Sequence, residues 1–457
     1  MEELKAAIER RFPDAVADLQ RYLRQPSVAA QDLGIEATVH LCCDLVGQAG
    51  GSFRVLDDCG GNPVVYAEFE PGPHGNPDRT LLFYNHYDVQ PAEPIAEWTT
   101  PPWAAEIRDG KLYARGVADN KGEQVVRLTA LQALRDVDGG LPCRVKFLIE
   151  GEEEVGSAAL PRYLAKYRDL FRADACIWEF GGRDELERVS LVAGVKGMAY
   201  LQLWCHGADV DLHSSLGAFT DNAAWRMVQA LATLRDAHNR ILIEGFYEHV
   251  RKPTAAEVAA VQRLPYDGAA LRRNYGLRHP FITEAKGQDV RIAMLYEPTC
   301  TICGLESGYY GPGSKTVLPR RAQAKIDCRL VPDMDPDDIY RKVRRHLDRR
   351  GFSDIEVELL EGGEFPYRSP IDHPFVHLCV QTAREAYGAE VVLWPNSAGT
   401  GPMHPFGQHL GVPIVSTGSG YWNSRAHAPD ENVRLSDLKE GMLHIAHLLR
   451  RFSATRW

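Results

Sequence analysis

No stretch of this chain stays apolar for the roughly 18 residues that a membrane-spanning helix requires. No run of lysine and arginine is long enough to follow a phosphate backbone. Acidic residues outnumber basic ones, 62 to 52, for a net charge of -10. That balance argues against nucleic acid as a partner and speaks mainly for solubility. The opening MEELKAAIERRFPD is charged throughout and lacks the apolar core of a signal peptide, so a cytoplasmic protein is expected. Internal repeats and low-complexity tracts are missing too. The ten cysteines are scattered, and Cys143, Cys176 and Cys205 sit inside apolar strands, where reduced cysteine behaves as a small hydrophobe. Cys300 and Cys303 form a C-x-x-C without the second pair that a zinc ribbon needs.

What the chain does have is chemistry at the ends of apolar runs. LLFYNHYDV carries His86 and Asp88 at the end of one strand signal. RVKFLIEGEEEVG places Glu152, Glu153 and Glu154 after a second, and ADACIWEF places Glu179 after a third. Asp119 lies in the loop ARGVADNKGE, and His427 in SRAHAPDE. In open α/β sheets, ligands bind outside the carboxyl ends of strands. Each residue alone has a plainer reading: a solvated acidic loop, a chance His-x-Asp, a turn or helix cap for Asp119, a loop histidine for His427 or for its rival His404. Their conjunction points to a hydrolytic metal site.

Imidazole and carboxylate suit zinc well, and Mn²⁺ or Co²⁺ acceptably. Two ions about 3.5–4 Å apart need a bridging carboxylate to offset their repulsion. Asp119 is the expected bridge, with His86 and Glu179 on one ion and Glu154 and His427 on the other. Of the neighbours Glu153 and Glu154, one should stay off the metal. That carboxylate can take a proton from the attacking water and pass it to the leaving amine. Asp88 is expected to orient His86.

The 457 residues allow about two or three domains. Helix signal over Ala15 to Leu23, after Pro13, is followed by strand signals over Pro63 to Phe69, Thr80 to Tyr84, Arg144 to Ile149 and Asp174 to Trp178. A helix over Lys121 to Arg135 lies between two of these strands. Near-continuous apolar strands separated by helices imply a mostly parallel sheet covered on both faces. From Gly197 the texture changes to alternating strands (MAYLQLWCHG, AQAKIDCRLVP, Ile355 to Leu359) and amphipathic helices (NAAWRMVQALATLRD, DDIYRKVRRHLDRRG), the order of a small α+β domain. The segment from Asp236 to Pro319 has weak periodicity and no assigned role. After Tyr367 the βα texture returns, with a helix over Pro374 to Tyr387, the strands VVLW and VPIVST, and a closing helix over Ser436 to Arg450. The expectation is a discontinuous first domain, 1–196 with 367–457, and an inserted domain, 197–366.

NHYDVQP, the WTTPPW of Trp98 to Trp103, DGKLYARGVADNKG, EGEEEVGS and HAPDE together resemble the dinuclear zinc exopeptidases and deacylases related to carnosine dipeptidase, aminoacylase, carboxypeptidase G and succinyl-diaminopimelate desuccinylase. The resemblance covers most of the chain. It implies an α/β zinc-exopeptidase-like catalytic domain and an inserted ferredoxin-like lid that dimerises. It implies that Glu153 is the general base and Glu154 a ligand. His86, Asp119, Glu179 and His427 are then the remaining ligands, and the Asp119–Asn120 peptide bond is cis. GADVDLHSS resembles the segment whose histidine holds the oxyanion, giving His213, in its own subunit or across the dimer. CRLVP and SAGTGP resemble the segments that grip the substrate carboxylate, giving Arg329, Gly399 and Thr400. Taken alone, Arg329 would read as a surface ion pair and His213 as a turn residue.

One departure bears on the substrate. Carnosine-type dipeptidases tend to carry Asp where this chain has Glu179, whereas carboxypeptidase and deacylase relatives tend to carry Glu. The expected activity is cleavage of an amide beside a free carboxylate in dipeptides or small peptides; the alternative is deacylation of N-acetyl or N-succinyl amino acids. A nucleotide-binding reading of GYYGPGSKT fails, because Ser314 rather than Gly precedes Lys315 and Pro312 removes a backbone donor. A binding protein that has lost turnover is a third class, but no motif position is visibly missing.

Overall fold

The computed structural model describes residues 1–284 and 287–457. The chain forms two compact units: Met1–Gly194 with Arg368–Pro395 and Pro402–Trp457, and Val195–Tyr367 with Asn396–Gly401. The loop Asn396–Gly401, read from sequence as part of the flanking segment, groups with the second unit.

The first unit is built on a ten-stranded mixed sheet. Its centre is four parallel strands, Cys143–Glu150, Asn76–His86, Ala175–Trp178 and Ile414–Ser416, side by side in that order. They are nearly all buried, which explains why they read as continuous apolar runs rather than alternating ones. Toward one edge the pairing turns antiparallel, Ser52–Leu56 with Val64–Phe69; on the other side it is mixed, Gly182–Arg183 running antiparallel to Val189–Val192 and parallel to Gly420–Tyr421. Phe83 joins the large core formed with helices Glu2–Leu23, Lys121–Asp138, Pro374–Tyr387 and Leu435–Ala454. Its neighbour Tyr84 faces the other way, stacked on Trp178 at 4.0 Å with Phe406 edge-on to both. Both faces are thus covered.

The first helix runs from Glu2 to Leu23 straight through Pro13, where the sequence suggested a start after that proline. Leu4, Ala7 and Ile8 are buried on the same core as Leu19 and Leu23, and that packing outweighs the lost backbone hydrogen bond. The helix Ile35–Gln48 and the strand Ser52–Leu56 were not read from sequence.

The second unit holds a four-stranded antiparallel sheet in the order Thr301–Ser307, Arg321–Leu330, Gly197–His206, Glu356–Glu364. In chain order the strands and the helices Ala223–Leu234 and Pro336–Arg349 follow a βαββαβ pattern. Both helices pack on one core with the sheet's inward-facing residues, among them Leu201, Leu203, Ile326 and Cys328. The weakly periodic segment contains the short helices Ala255–Gln262, Gly268–Tyr275 and Val290–Tyr296 before the strand Thr301–Ser307.

Candidate metal centre

Strand ends deliver the reactive groups. His86 is the last residue of its strand and is fully buried. Glu179 follows Trp178 at the end of the adjacent parallel strand and is 5 % exposed. Glu153 and Glu154 open the single turn after Cys143–Glu150. Asp119 lies just before helix Lys121–Asp138, and the Asp119–Asn120 peptide bond is cis. His427 lies on the loop before Asn432–Arg434 in the left-handed region at φ 64°, with its side chain 54 % exposed.

The other five groups gather around Asp119. Its Oδ1 lies 3.0 Å from His86 Nε2 and its Oδ2 lies 3.1 Å from His427 Nε2. Glu179 Oε2 is 3.2 Å from His86 Nε2, and Glu154 Oε2 is 3.3 Å from His427 Nε2. Asp119 therefore stands between a His86–Glu179 pair and a His427–Glu154 pair. Glu153 joins His86 and Glu154 in a group whose donor atoms all lie within 4.8 Å of one another.

The electrostatics are those of an anion-rich nest. Burial, then repulsion from Glu179, pushes the Glu153 carboxyl well above the ordinary carboxylate range. Burial does the same to Glu179. Burial also opposes ionisation of Asp119, but hydrogen bonds from His427 and His86 outweigh it and hold that group well below its usual value. Contacts with Asp119 and then Glu154 lift His427 to about 10. Four carboxylates crowd two imidazoles, and the cluster calls for more positive charge than the protein supplies. Among the described residues, the buried Glu154 Oε1 has no hydrogen-bond partner, and Glu179 Oε2 has only the 3.2 Å approach of His86 Nε2. Oxygen and imidazole donors with unsatisfied lone pairs fit a pair of divalent cations.

Asp88 touches His86, as expected, and does further work. The His86 Nδ1 contact is to the Asp88 backbone carbonyl at 2.9 Å, while the carboxylate lies 3.4 Å away. That carboxylate accepts the backbone N–H groups of Glu153 at 3.2 Å and Glu154 at 3.0 Å. One buried residue thus orients the histidine with its main chain and the acidic turn with its side chain. Arg127, also fully buried, donates to the Tyr84 carbonyl at 2.5 Å, Asn85 Oδ1 at 2.8 Å and the Trp178 carbonyl at 2.7 Å. It binds together the two strand ends that carry His86 and Glu179, and no pattern in the sequence announced it.

On the second unit, Arg329 is held by Asp327, Nε to Oδ2 at 2.9 Å, and reaches Thr400 Oγ1 at 3.4 Å. The Gly399 N–H donates to Ser397 Oγ at 3.0 Å within its own turn, and the Gly399 carbonyl accepts the Lys196 N–H at 2.9 Å. The N–H expected to meet substrate is therefore already bonded here. His213 is exposed; its Nδ1 accepts the Ser215 N–H at 3.2 Å, which puts the neutral ring's proton on Nε2. Cys300 is buried while Cys303 is exposed at a bulge in the strand Thr301–Ser307, so the C-x-x-C is divided between interior and surface.

Comparison with known proteins gives the family. The chain is 31% identical over 394 residues to human Beta-Ala-His dipeptidase, covering 83% of this chain and 75% of that protein. It is 25% identical over 466 residues to the Cys-Gly metallodipeptidase dug1 of Schizosaccharomyces pombe, covering 97% and 96%. Among solved structures it is similar to an M20 family metallo-carboxypeptidase, Sso-CP2 of Sulfolobus solfataricus, with TM-score 0.88 and 37% identity over 96% of this chain and 99% of that one. The model of peptidase family M20/M25/M40 matches residues 82–451, which run from the strand bearing His86 into the closing helix, and the chain belongs to that family of metallopeptidases.

Proposed function

We propose that this metal-dependent hydrolase removes one residue from dipeptides or small peptides by cleaving an amide beside a free carboxylate. The single observation that carries the reading is Asp119, with one carboxylate oxygen on each of two His–Glu pairs. His86, Asp119 and Glu179 would hold one cation, and Asp119, Glu154 and His427 the other. Zinc is the expected metal. Two such ions supply Lewis acidity toward the scissile carbonyl and acidify water at neutral pH.

The remaining work falls to side chains. Glu153 stays off the metal, takes the proton of the attacking water and returns it to the leaving amine. His213, with its proton on Nε2, is proposed as the donor to the developing oxyanion. Arg329, pre-aligned by Asp327, offers a planar donor to the substrate carboxylate, with the Thr400 hydroxyl beside it. The second unit is read as a ferredoxin-like lid that dimerises. Ten unpaired cysteines fit a reducing, cytoplasmic compartment. The human and fission-yeast relatives are named as dipeptidases and the archaeal structure as a carboxypeptidase; an N-acyl amino acid substrate is not favoured. The test is turnover of a mixed pool of dipeptides, longer peptides and N-acetyl and N-succinyl amino acids, read by mass spectrometry. Dipeptides should disappear first, a chelator should stop the reaction, and added Zn²⁺ should restore it. Consumption of acyl amino acids alone defeats the proposal.

A further inference from the structure

The loop that bears the bridging aspartate is held by a second acid that no metal-ligand argument identifies. Glu431 lies four residues after His427 and is 1 % exposed. Its Oε1 accepts the backbone N–H groups of Ala118 at 2.8 Å and Asp119 at 3.1 Å. Its Oε2 accepts the Gly116 N–H at 2.9 Å and Arg115 Nη1 at 2.7 Å. Four donors from one five-residue stretch therefore converge on a single carboxylate, and the Glu431 carbonyl accepts the Ala114 N–H at 3.1 Å. The next residues, Asn432–Arg434, pair with Lys111–Tyr113, so a short β-ladder delivers Glu431 to this place. The Gly116 position tolerates no side chain: it lies at φ 85°, and an added Cβ would fall 2.5 Å from Val89.

We propose that Glu431 is the positioning residue for the dinuclear centre, fixing the backbone of Asp119 so that its two oxygens address both cations. The segment from His427 to Glu431 then acts on Asp119 twice. His427 meets its carboxylate, and Glu431 holds its main chain. A carboxylate suits this task because each of its oxygens accepts two bonds. Glutamine offers one accepting oxygen; whichever way it turns, its NH₂ confronts N–H donors on the other side. The inference rests on the dimetal reading.

The experiment measures Zn²⁺ affinity by competition with a fluorescent chelator for wild type, Glu431→Gln and Leu438→Ala. The last truncates the core of the same unit without removing a bond to Glu431 and reports plain loss of stability. Glu431→Gln is expected to weaken Zn²⁺ binding about 10–100-fold, as removal of an outer-shell partner does, with KM for a dipeptide unchanged at saturating zinc. Leu438→Ala should lower Tm and leave zinc affinity intact. Should Glu431→Gln fail to fold, Arg115→Met with Glu431→Gln removes the buried charge imbalance, and the same weakening is expected. Two zinc ions bound equally tightly by wild type and variant overturn this inference alone. So does an equal loss of zinc affinity in Leu438→Ala. A wild type that binds no zinc overturns the dimetal reading itself, and this inference with it.

Discussion

Glu153 and Glu154 are neighbours in the chain and are proposed for opposite uses. Glu154 Oε2 turns to His427, which itself contacts Asp119, whereas Glu153 shares the group with His86 without meeting the bridge's second histidine. A carboxylate beside the water but off the metal contributes through proton transfer, worth about 10²–10⁴-fold. Glu153→Gln should therefore lose activity by that factor while binding zinc at two ions per chain, measured by atomic absorption on the purified variant. Normal turnover by the variant removes Glu153 from the role of base. A second residue-scale expectation concerns pH. His444 is 1 % exposed in the closing helix, its Nε2 3.4 Å from Thr382 Oγ1, beside the Tyr387 ring and near His447. Burial, reinforced by His447, depresses it to about 3. The unfolded chain binds this proton near pH 6.5 and the folded chain does not, so the native state loses stability as pH falls from about 6.5 toward 3. The stability of His444→Leu relative to wild type should thus improve between pH 7.5 and pH 5 in paired thermal melts. A difference that does not change with pH excludes His444 as a source of acid sensitivity.

Elements place these residues, and their legibility followed from how each was built. The strands Asn76–His86, Cys143–Glu150 and Ala175–Trp178 announced themselves because burial on both faces demands unbroken apolar runs. Polar residues at their ends were then conspicuous, and His86, Glu153, Glu154 and Glu179 could be found from the sequence. Asp119 and His427 sit in loops with no periodicity, and the motifs around them carried more than any local signal. The hold of the Asp88 carboxylate on the acidic turn, and the work of Arg127 and Glu431, were hidden for a different reason. Each acts on main-chain groups, and backbone acceptors and donors leave no residue type or spacing to read. The helix Glu2–Leu23 was truncated in the sequence reading because proline is a local rule and core packing is not. Helix Pro336–Arg349 shows a local rule that holds. Asp335 accepts the N–H groups of Asp337 at 2.8 Å and Asp338 at 3.2 Å, with Pro336 in the first turn. Asp335→Ala should cost about 1 kcal/mol in urea unfolding of the second unit. An unchanged midpoint means that the helix end is held by its packing rather than by its cap.

At the scale of the whole molecule, the question is what covers the free edge of the second unit's sheet. The strand Thr301–Ser307 is at that edge, with its outer N–H and C=O groups unpaired to any strand among the described residues. Ile302 and Leu305 on it are about half exposed, and on helix Ala223–Leu234 Trp225 and Val228 are exposed as well. An open edge with apolar side chains is a template for pairing unless something blunts it. The bulge at Cys303 breaks the ladder, but the rest of the strand carries a single charged residue, Glu306. The proposed homodimer would lay this edge against its own copy, adding main-chain hydrogen bonds and burying those side chains in a two-fold contact. Sedimentation should then give twice the chain mass of 51.0 kDa. Placing lysines at the edge, Ile302→Lys with Leu305→Lys, brings like charges together across a two-fold and should yield monomers at micromolar concentration. The metal centre lies in the other unit, so these monomers should keep their zinc. Their turnover then tests the proposed arrangement: loss of kcat with zinc retained supports His213 acting at the partner's site, and full activity excludes that. A wild type that sediments as a monomer removes the dimer from the proposal and leaves the edge strand to another partner.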